Sequence, residues 1–223
     1  MPSMTSSTRI TRLSSDLSRL GRESEMLDAI VSMMSAERLA APTAAGTPRS
    51  EVIGRLADDG FALAAAVRAA LGDSSPVAVS EADDVCARFR EAHRAFSDAA
   101  AGLGSAAPDT VVAYADLDLA PGEVVPQRIA EVVLAHDALD SVWTIDEADP
   151  DSVLDALDAM VRRLERSDDI PPITLATLEG DRWELSGGGQ RIYGTRESLA
   201  QWLARGVEGV DIEGEDPQLP RWH

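Results

Sequence analysis

Apolar residues recur every three or four positions from Ile10 to Leu164, which is the spacing of amphipathic helices. The first stripe predicts one long helix and comprises Ile10, Leu13, Leu17, Leu20, Leu27, Val31 and Met34. Four further helices are predicted, each opened by a cap or a proline at Thr47-Pro48, Ser80 with Asp83, Pro126, and Asp149-Pro150. Together these stripes predict a helical bundle.

The periodicity changes after an acidic, proline-containing break that ends at Pro172. Ile173 to Leu178 alternates with a period of two, and Trp183 to Leu185 resumes the alternation after a turn. A short helix from Thr195 to Ala204 follows. The sequence therefore predicts an α+β protein with a helical bundle over residues 1–167 and a small α/β domain over residues 168–223.

Charge excludes two classes of partner. The 39 acidic residues outnumber the 20 basic ones, which gives a formal net charge of −19. A nucleic-acid-binding protein or a protein that docks on an anionic membrane needs a basic surface. No run of apolar residues is long enough for a membrane span, and Met1 to Thr11 lacks the apolar segment of a secretory signal. With its single cysteine, Cys86, the chain is expected to be a cytoplasmic protein.

Residue types also limit the chemistry. Every basic residue is arginine, so Schiff-base chemistry and a P-loop are excluded. One cysteine cannot form a cysteine zinc cluster. Of the three histidines, His93 flanks an apolar helical stripe and His223 is terminal, so we expect neither to be functional. His136 is the more informative histidine because of the segment that surrounds it.

That segment, Ala130-Glu-Val-Val-Leu-Ala-His-Asp-Ala-Leu-Asp-Ser-Val-Trp143, resembles the metal-site helix of the mycothiol-dependent maleylpyruvate isomerase family, a branch of the DinB-like metalloproteins. The stretch from Thr47 to Ala57 resembles the family's second helix. Leu17 to Glu25, Gly194 to Leu203 and Leu219 to Trp222 extend the resemblance over nearly the whole chain. It implies a DinB-like up-down bundle, a small C-terminal domain and a substrate cleft between them.

The resemblance also implies a three-residue metal site. The family uses a histidine of the second helix with a glutamate and a histidine spaced i, i+4 on the fourth, and the ion activates a thiolate that isomerises a cis double bond. In this sequence the three positions are Arg55, Glu131 and Ala135. Only Glu131 is a ligand type, and a guanidinium remains positively charged in proteins. A degraded metal site is therefore expected, with no cofactor.

Three arrangements of the polar residues are open. Arg55 and Glu131 could pair across the bundle in place of the ion, and we favour this arrangement. Arg55 could instead lie in solvent and pair with Glu51 and Asp59 on its own helix. A displaced metal site could use Glu51, Glu131 and His136.

The C-terminal domain contributes the remaining candidates. Arg205 follows Trp202-Leu203 as in the family, where an arginine at this place holds a substrate carboxylate. Alternatively, Arg205 only complements the dipole of its helix. Trp143 and Trp202 could line the cleft or belong to the core.

Three functions follow from this resemblance. The first is a metal-independent relative that binds or converts a small molecule, carboxylate-bearing if Arg205 acts as implied, with Arg55, Glu131 and His136 in the site and His136 as general acid or base. The second is an active isomerase or S-transferase with a rearranged site, which would need zinc or another divalent metal and mycothiol. The third is a non-catalytic interaction module, so both an enzyme and a binding protein are open.

Overall fold

The computed structural model describes residues 6–79, 84–207 and 209–222, and the chain divides into two compact units, residues 1–141 and 142–223. The helices and strands confirm the predicted α+β class. Within the described residues, none of the helices has both the length and the apolarity that a bilayer crossing requires. His223 and the predicted cap of Ser80 and Asp83 lie outside the described residues.

The first unit is mainly helical. Its elements are α1 (Ser6–Ser32), α2 (Ala36–Ala40), α3 (Arg49–Ala70), α4 (Val85–Ala100), a 3₁₀ turn (Ala101–Ser105), β1 (Val112–Tyr114), β2 (Leu117–Leu119) and α5 (Val124–Ala138). The predicted stripes supply its core, since large apolar side chains of α1, α3, α4 and α5 are fully buried, among them Leu20, Leu27, Ile53, Leu63, Phe89, Phe96, Ile129 and Leu134. Burial of these faces is the main force that holds the helices together.

Several helix ends differ from the predicted ones. The backbone N–H of Thr43 donates to the Thr47 carbonyl, and α3 begins at Arg49 with Pro48 as its cap residue and no side-chain cap. Asp84 caps α4, because its carboxylate accepts a 3.0 Å hydrogen bond from the N–H of Cys86. The segment between α4 and α5 forms a hairpin in which Val112 pairs with Leu119 and Tyr114 with Leu117.

The second unit packs two helices against a small sheet. It contains a 3₁₀ turn (Ile145–Glu147), α6 (Pro150–Leu164), β3 (Ile173–Thr177), β4 (Arg182–Leu185), β5 (Gln190–Gly194), α7 (Arg196–Arg205) and β6 (Asp211–Ile212). The strand order is β4-β3-β5-β6, with β3 and β5 parallel and the other pairs antiparallel. The helix ends follow the sequence signals, since Asp149 caps α6 ahead of Pro150 and Thr195 caps α7.

The boundary between the units lies earlier than the predicted boundary at residues 167/168. The predicted fifth helix is α6, and it contacts α7 and β4 of the second unit. A hydrogen bond links α6 to the sheet of this unit, because Nε1 of Trp183 on β4 donates to Oδ1 of Asp158 on α6 at 2.8 Å. The amphipathic pattern shows that α6 has one apolar face, but the pattern is the same whichever unit covers that face.

Candidate functional site

The predicted pair between Arg55 and Glu131 is wrong. The Arg55 side chain is 64% exposed and forms an ion pair with Glu51, one turn earlier on α3. The buried face of α3 carries Ile53, Leu56 and Gly60 instead, so position 55 points away from the core. The alternative arrangement, in which Arg55 lies in solvent and pairs along its own helix, is confirmed for Glu51.

Glu131 is paired within its own helix. Nη1 of Arg128 donates to Oε2 of Glu131 at 2.9 Å, and Nε2 of Gln127 donates to Oε1 at 3.3 Å. The side chains of Arg128 and Glu131 are 1% and 10% exposed, so this ion pair is screened far less than a surface pair. A guanidinium therefore does lie beside the carboxylate that matches a family ligand, but Arg128 supplies it and not Arg55.

The Arg128 guanidinium fits because α3 has no side chain at the point of closest approach. A Cβ added to Gly60 would lie 2.7 Å from Nη2 of Arg128 and 3.2 Å from Cβ of Ala92 on α4. Nε and Nη2 of Arg128 are buried and have no hydrogen-bond partner among the described residues. His93, next to Ala92, has a buried Nδ1 with no such partner either. Burial, and secondarily the Arg128 charge, lowers the pKa of His93, so its imidazole is neutral at neutral pH.

Asp59 and Tyr114 complete this group of polar residues. Asp59 of α3 is exposed to solvent, yet desolvation raises its pKa from 3.8 to about 6, with the Glu131 charge as the next cause. Tyr114 of β1 is half-buried, and burial followed by the Glu131 and Asp59 charges raises the pKa of its phenol. We call Asp59, Tyr114, Arg128 and Glu131 the Glu131 cluster.

The sequence did not predict that the other three members of the cluster, Asp59, Tyr114 and Arg128, lie beside Glu131. Arg128 lies in a largely apolar stretch from Val124 to Leu134, so its burial could have been suspected from its neighbours. Gly60 within a long helix was a second signal, because glycine inside a helix often marks a close approach. Nothing in the sequence indicates that the β1–β2 hairpin brings Tyr114 to Glu131.

His136 does not have the properties predicted for a general acid or base. Its side chain is 1% exposed, and desolvation lowers its pKa from 6.5 to about 4, against a smaller opposing effect of Asp137. It follows Glu131 by five positions, which places it roughly 140° around the helix axis. The imidazole is therefore neutral at pH 7 and directed elsewhere than the Glu131 carboxylate.

The residues present do not fit a divalent metal ion of the family type. Across residues 6–79, 84–207 and 209–222, no group of three or more His, Cys, Asp or Glu side chains could hold a metal. The displaced set of Glu51, Glu131 and His136 is accordingly not brought together. In addition, the Arg128 guanidinium neutralises Glu131, the one ligand-type residue among the three positions that the resemblance implies.

The predicted residues of the second unit lie in or beside its core. Trp143 and Trp202 are 5% and 3% exposed, and the guanidinium of Arg221 lies over the Trp202 ring at 5.2 Å. Arg205 is the last residue of α7 and half-buried, directly before the left-handed cap residue Gly206. These positions agree with the core and helix-dipole alternatives, and the ligand-binding roles of Arg205, Trp143 and Trp202 stay predictions.

The sequence matches no family model, and a search of curated proteins finds no match. The structure is similar to the crystal structure of the mycothiol-dependent maleylpyruvate isomerase and to that of a histidine-to-alanine mutant of this enzyme. Both comparisons give a TM-score of 0.63 at 18% sequence identity and cover 98% of this chain and of the other. The chain therefore has the fold of this isomerase, as the sequence resemblance predicts.

Proposed function

We propose that this chain binds a small molecule at the Glu131 cluster without a bound metal ion, with Asp59 and Tyr114 as the contacting groups. The observation that carries the proposal is the buried ion pair of Arg128 and Glu131, which supplies a fixed positive charge at a position where the resemblance implies a metal ligand. A permanent internal cation disfavours a second cation at the same carboxylate.

The accessible members of the cluster determine the ligand chemistry. Two carboxylates and one guanidinium leave one net negative charge when Asp59 is ionised. Tyr114 remains a neutral phenol, because its pKa is raised. The cluster therefore suits a small ligand that offers N–H or O–H donors. If the bound molecule is also converted, Asp59 is the group whose pKa of about 6 allows proton transfer near neutral pH.

The metal- and mycothiol-dependent alternative requires ligands that the described residues do not assemble. Binding of a carboxylate by Arg205 is a separate proposal. It rests on the resemblance of the segment around Trp202 alone.

Metal analysis and ligand screening test the proposal together. We expect the purified protein to contain no stoichiometric divalent metal and to bind added zinc no more tightly than its Glu131→Gln variant. In a thermal-shift screen of small amines, polyols and carboxylic acids, we expect stabilisation by a donor-bearing compound that Asp59→Asn and Tyr114→Phe abolish. Asp58→Asn is the matched control, since the adjacent Asp58 pairs with Arg88 outside the cluster.

Two results would contradict the proposal. The first is stoichiometric zinc that is lost in Glu131→Gln, which would favour the metal-dependent alternative. The second is a screen in which no compound stabilises the protein, or in which Asp59→Asn and Asp58→Asn respond alike.

A further inference from the structure

A cavity lies in the first unit, between the beginning of α1, the 3₁₀ turn after α4 and the beginning of α5. Its volume is about 550 Å³, within the usual range for pockets that hold small organic ligands. Most of its wall is apolar and is formed by Leu13, Leu103, Val125, Pro108, Pro121 and Pro126. None of these residues belongs to the Glu131 cluster.

The floor of this cavity is part of the core. Leu103 and Val125 are each 1% exposed, so their backbone and side chains are held by packing. Three prolines in the wall further restrict the backbone, because each fixes its own φ angle. A cavity with such walls is largely formed before a ligand enters, which reduces the entropic cost of binding.

Two arginines give the cavity a positive side. Nη1 of Arg9 donates to the carbonyl of Ala106 at 3.0 Å, which holds this half-buried guanidinium at the wall. Nε of Arg12 lies 3.8 Å from Oδ2 of Asp16, whose other oxygen accepts from Nη2 of Arg19 at 3.0 Å. The single carboxylate of the wall is thus shared between two arginines, and the cavity lining carries one net positive charge.

This positive side contrasts with the chain as a whole. The net charge of the protein is −19, but residues 1–45 contain five arginines and five acidic residues and are neutral. The α1 side of the cavity therefore belongs to a segment that has no net charge and contributes two arginines to the wall. Charge and wall chemistry therefore select the same kind of ligand, which is apolar over most of its length and negative at one end.

We propose that this cavity binds an amphipathic monocarboxylate, such as a free medium-chain fatty acid, with its hydrocarbon chain against Leu13, Leu103 and Val125. The carboxylate pairs with Arg9 and Arg12, because a guanidinium presents N–H donors in the geometry that a carboxylate accepts. Binding at this cavity is independent of the function proposed for the Glu131 cluster.

Calorimetric titration with a matched set of ten-carbon probes tests the proposal. We expect decanoate, below its micellar concentration, to bind with one-to-one stoichiometry and at least about tenfold more tightly than decan-1-ol. Decyltrimethylammonium has the same chain with the opposite charge, and we expect it to bind more weakly than decan-1-ol. Equal affinity for the three probes, or uptake that does not saturate, would overturn the proposal.

Variants of the cavity wall test whether decanoate binds in this cavity. The double variant Arg9→Gln, Arg12→Gln should weaken decanoate binding about tenfold and leave decan-1-ol binding unchanged. Arg22→Gln removes one positive charge from the exposed side of α1 and serves as a control for a charge change on this helix outside the cavity. Leu13→Asp introduces a negative charge into the apolar wall and should abolish decanoate binding in a protein whose circular dichroism shows that it is folded.

Two further results decide the location. Asp58→Asn should bind decanoate as the unchanged protein does, because that residue pairs with Arg88 and lies outside the cavity. A loss of binding in Arg22→Gln equal to that in the double variant, or unchanged binding in Leu13→Asp, would show that decanoate binds elsewhere.

Discussion

Arg128 donates a 2.9 Å hydrogen bond to Glu131 from a side chain that is 1% exposed, so this ion pair lies largely out of contact with water. The two residues are three positions apart on α5, so the helix itself sets their separation. Removing two charges from water is costly, and their mutual attraction offsets that cost only while both partners are present. The pair therefore makes each residue depend on the other.

The first prediction concerns this dependence. Glu131→Gln should lower the free energy of unfolding by about 3 kcal/mol or more, because it leaves a buried guanidinium without its counter-charge. Arg128→Met should remove that penalty, so that the double variant is more stable than the sum of the single effects predicts. Urea denaturation of the four proteins measures the coupling, and additive losses would show that the two charges do not stabilise each other.

The second prediction concerns the close approach of α3 to Arg128. Gly60→Ala should destabilise the protein by about 1–3 kcal/mol, since the new methyl group would lie 2.7 Å from Nη2 of Arg128. Gly54→Ala is the matched control on the same helix, because a Cβ there meets nothing within 4 Å. We expect this control to be stabilising by up to about 1 kcal/mol, as alanine favours a helix over glycine. Thermal unfolding of both variants checks the difference, and equal effects would contradict the packing described for Gly60.

The third prediction concerns the pH dependence caused by Asp59. Its pKa rises from 3.8 to about 6 on folding, so the folded protein binds the proton more tightly than the unfolded chain does. The contribution of this group to stability therefore falls as the pH rises from about 4 to 6 and stays unfavourable above that range. Asp59→Asn should be stabilising at pH 8 and near neutral at pH 4, as measured by urea denaturation at both values. Asp58→Asn should not show this dependence, because the Asp58 carboxylate pairs with Arg88 and not with the Glu131 cluster.

The fourth prediction concerns His136, for which the sign is opposite. Its pKa falls from 6.5 to about 4 on folding, so the unfolded chain binds the proton more tightly. The stability that this group contributes is fully present above pH 6.5 and is lost as the pH falls through that range to 4, by roughly 3 kcal/mol at most. His136→Gln should flatten the decline in unfolding free energy between these pH values. A decline of unchanged steepness in the variant would show that another group causes it.

The fifth prediction concerns restoration of a metal site. Arg55→His with Ala135→His restores the histidines that the family resemblance implies, but it should not create zinc binding because position 55 faces solvent. Asp59→His with Ala135→His is the matched variant. It places the new histidine where the existing carboxylate already interacts with Glu131, and it should bind zinc more tightly than the first variant. Zinc titration by calorimetry measures both, and tighter binding by the Arg55 variant would contradict the orientation of α3.

The spacing of apolar residues was by itself sufficient to predict most of the helices and strands. The stripes through Leu20, Phe89 and Ile129 predicted which faces of α1, α4 and α5 are buried, because an amphipathic helix has one way to remove its apolar residues from water. The alternation from Ile173 predicted β3 in the same manner. Periodicity could not predict the boundary between the units, because either unit could bury the apolar face of α6.

The sequence by itself determined that Glu131 is the one ligand-type residue among the positions that the resemblance implies, and it named Arg55 as the candidate partner. Only the tertiary structure decided which arginine. Position 55 lies on an exposed face of α3, whereas position 128 lies on a buried face of α5. The absence of a side chain at Gly60 leaves room for the guanidinium of Arg128. The physical reason is that residue identity fixes charge, whereas helix packing fixes burial. The strength of an ion pair and the pKa values of its groups depend on both.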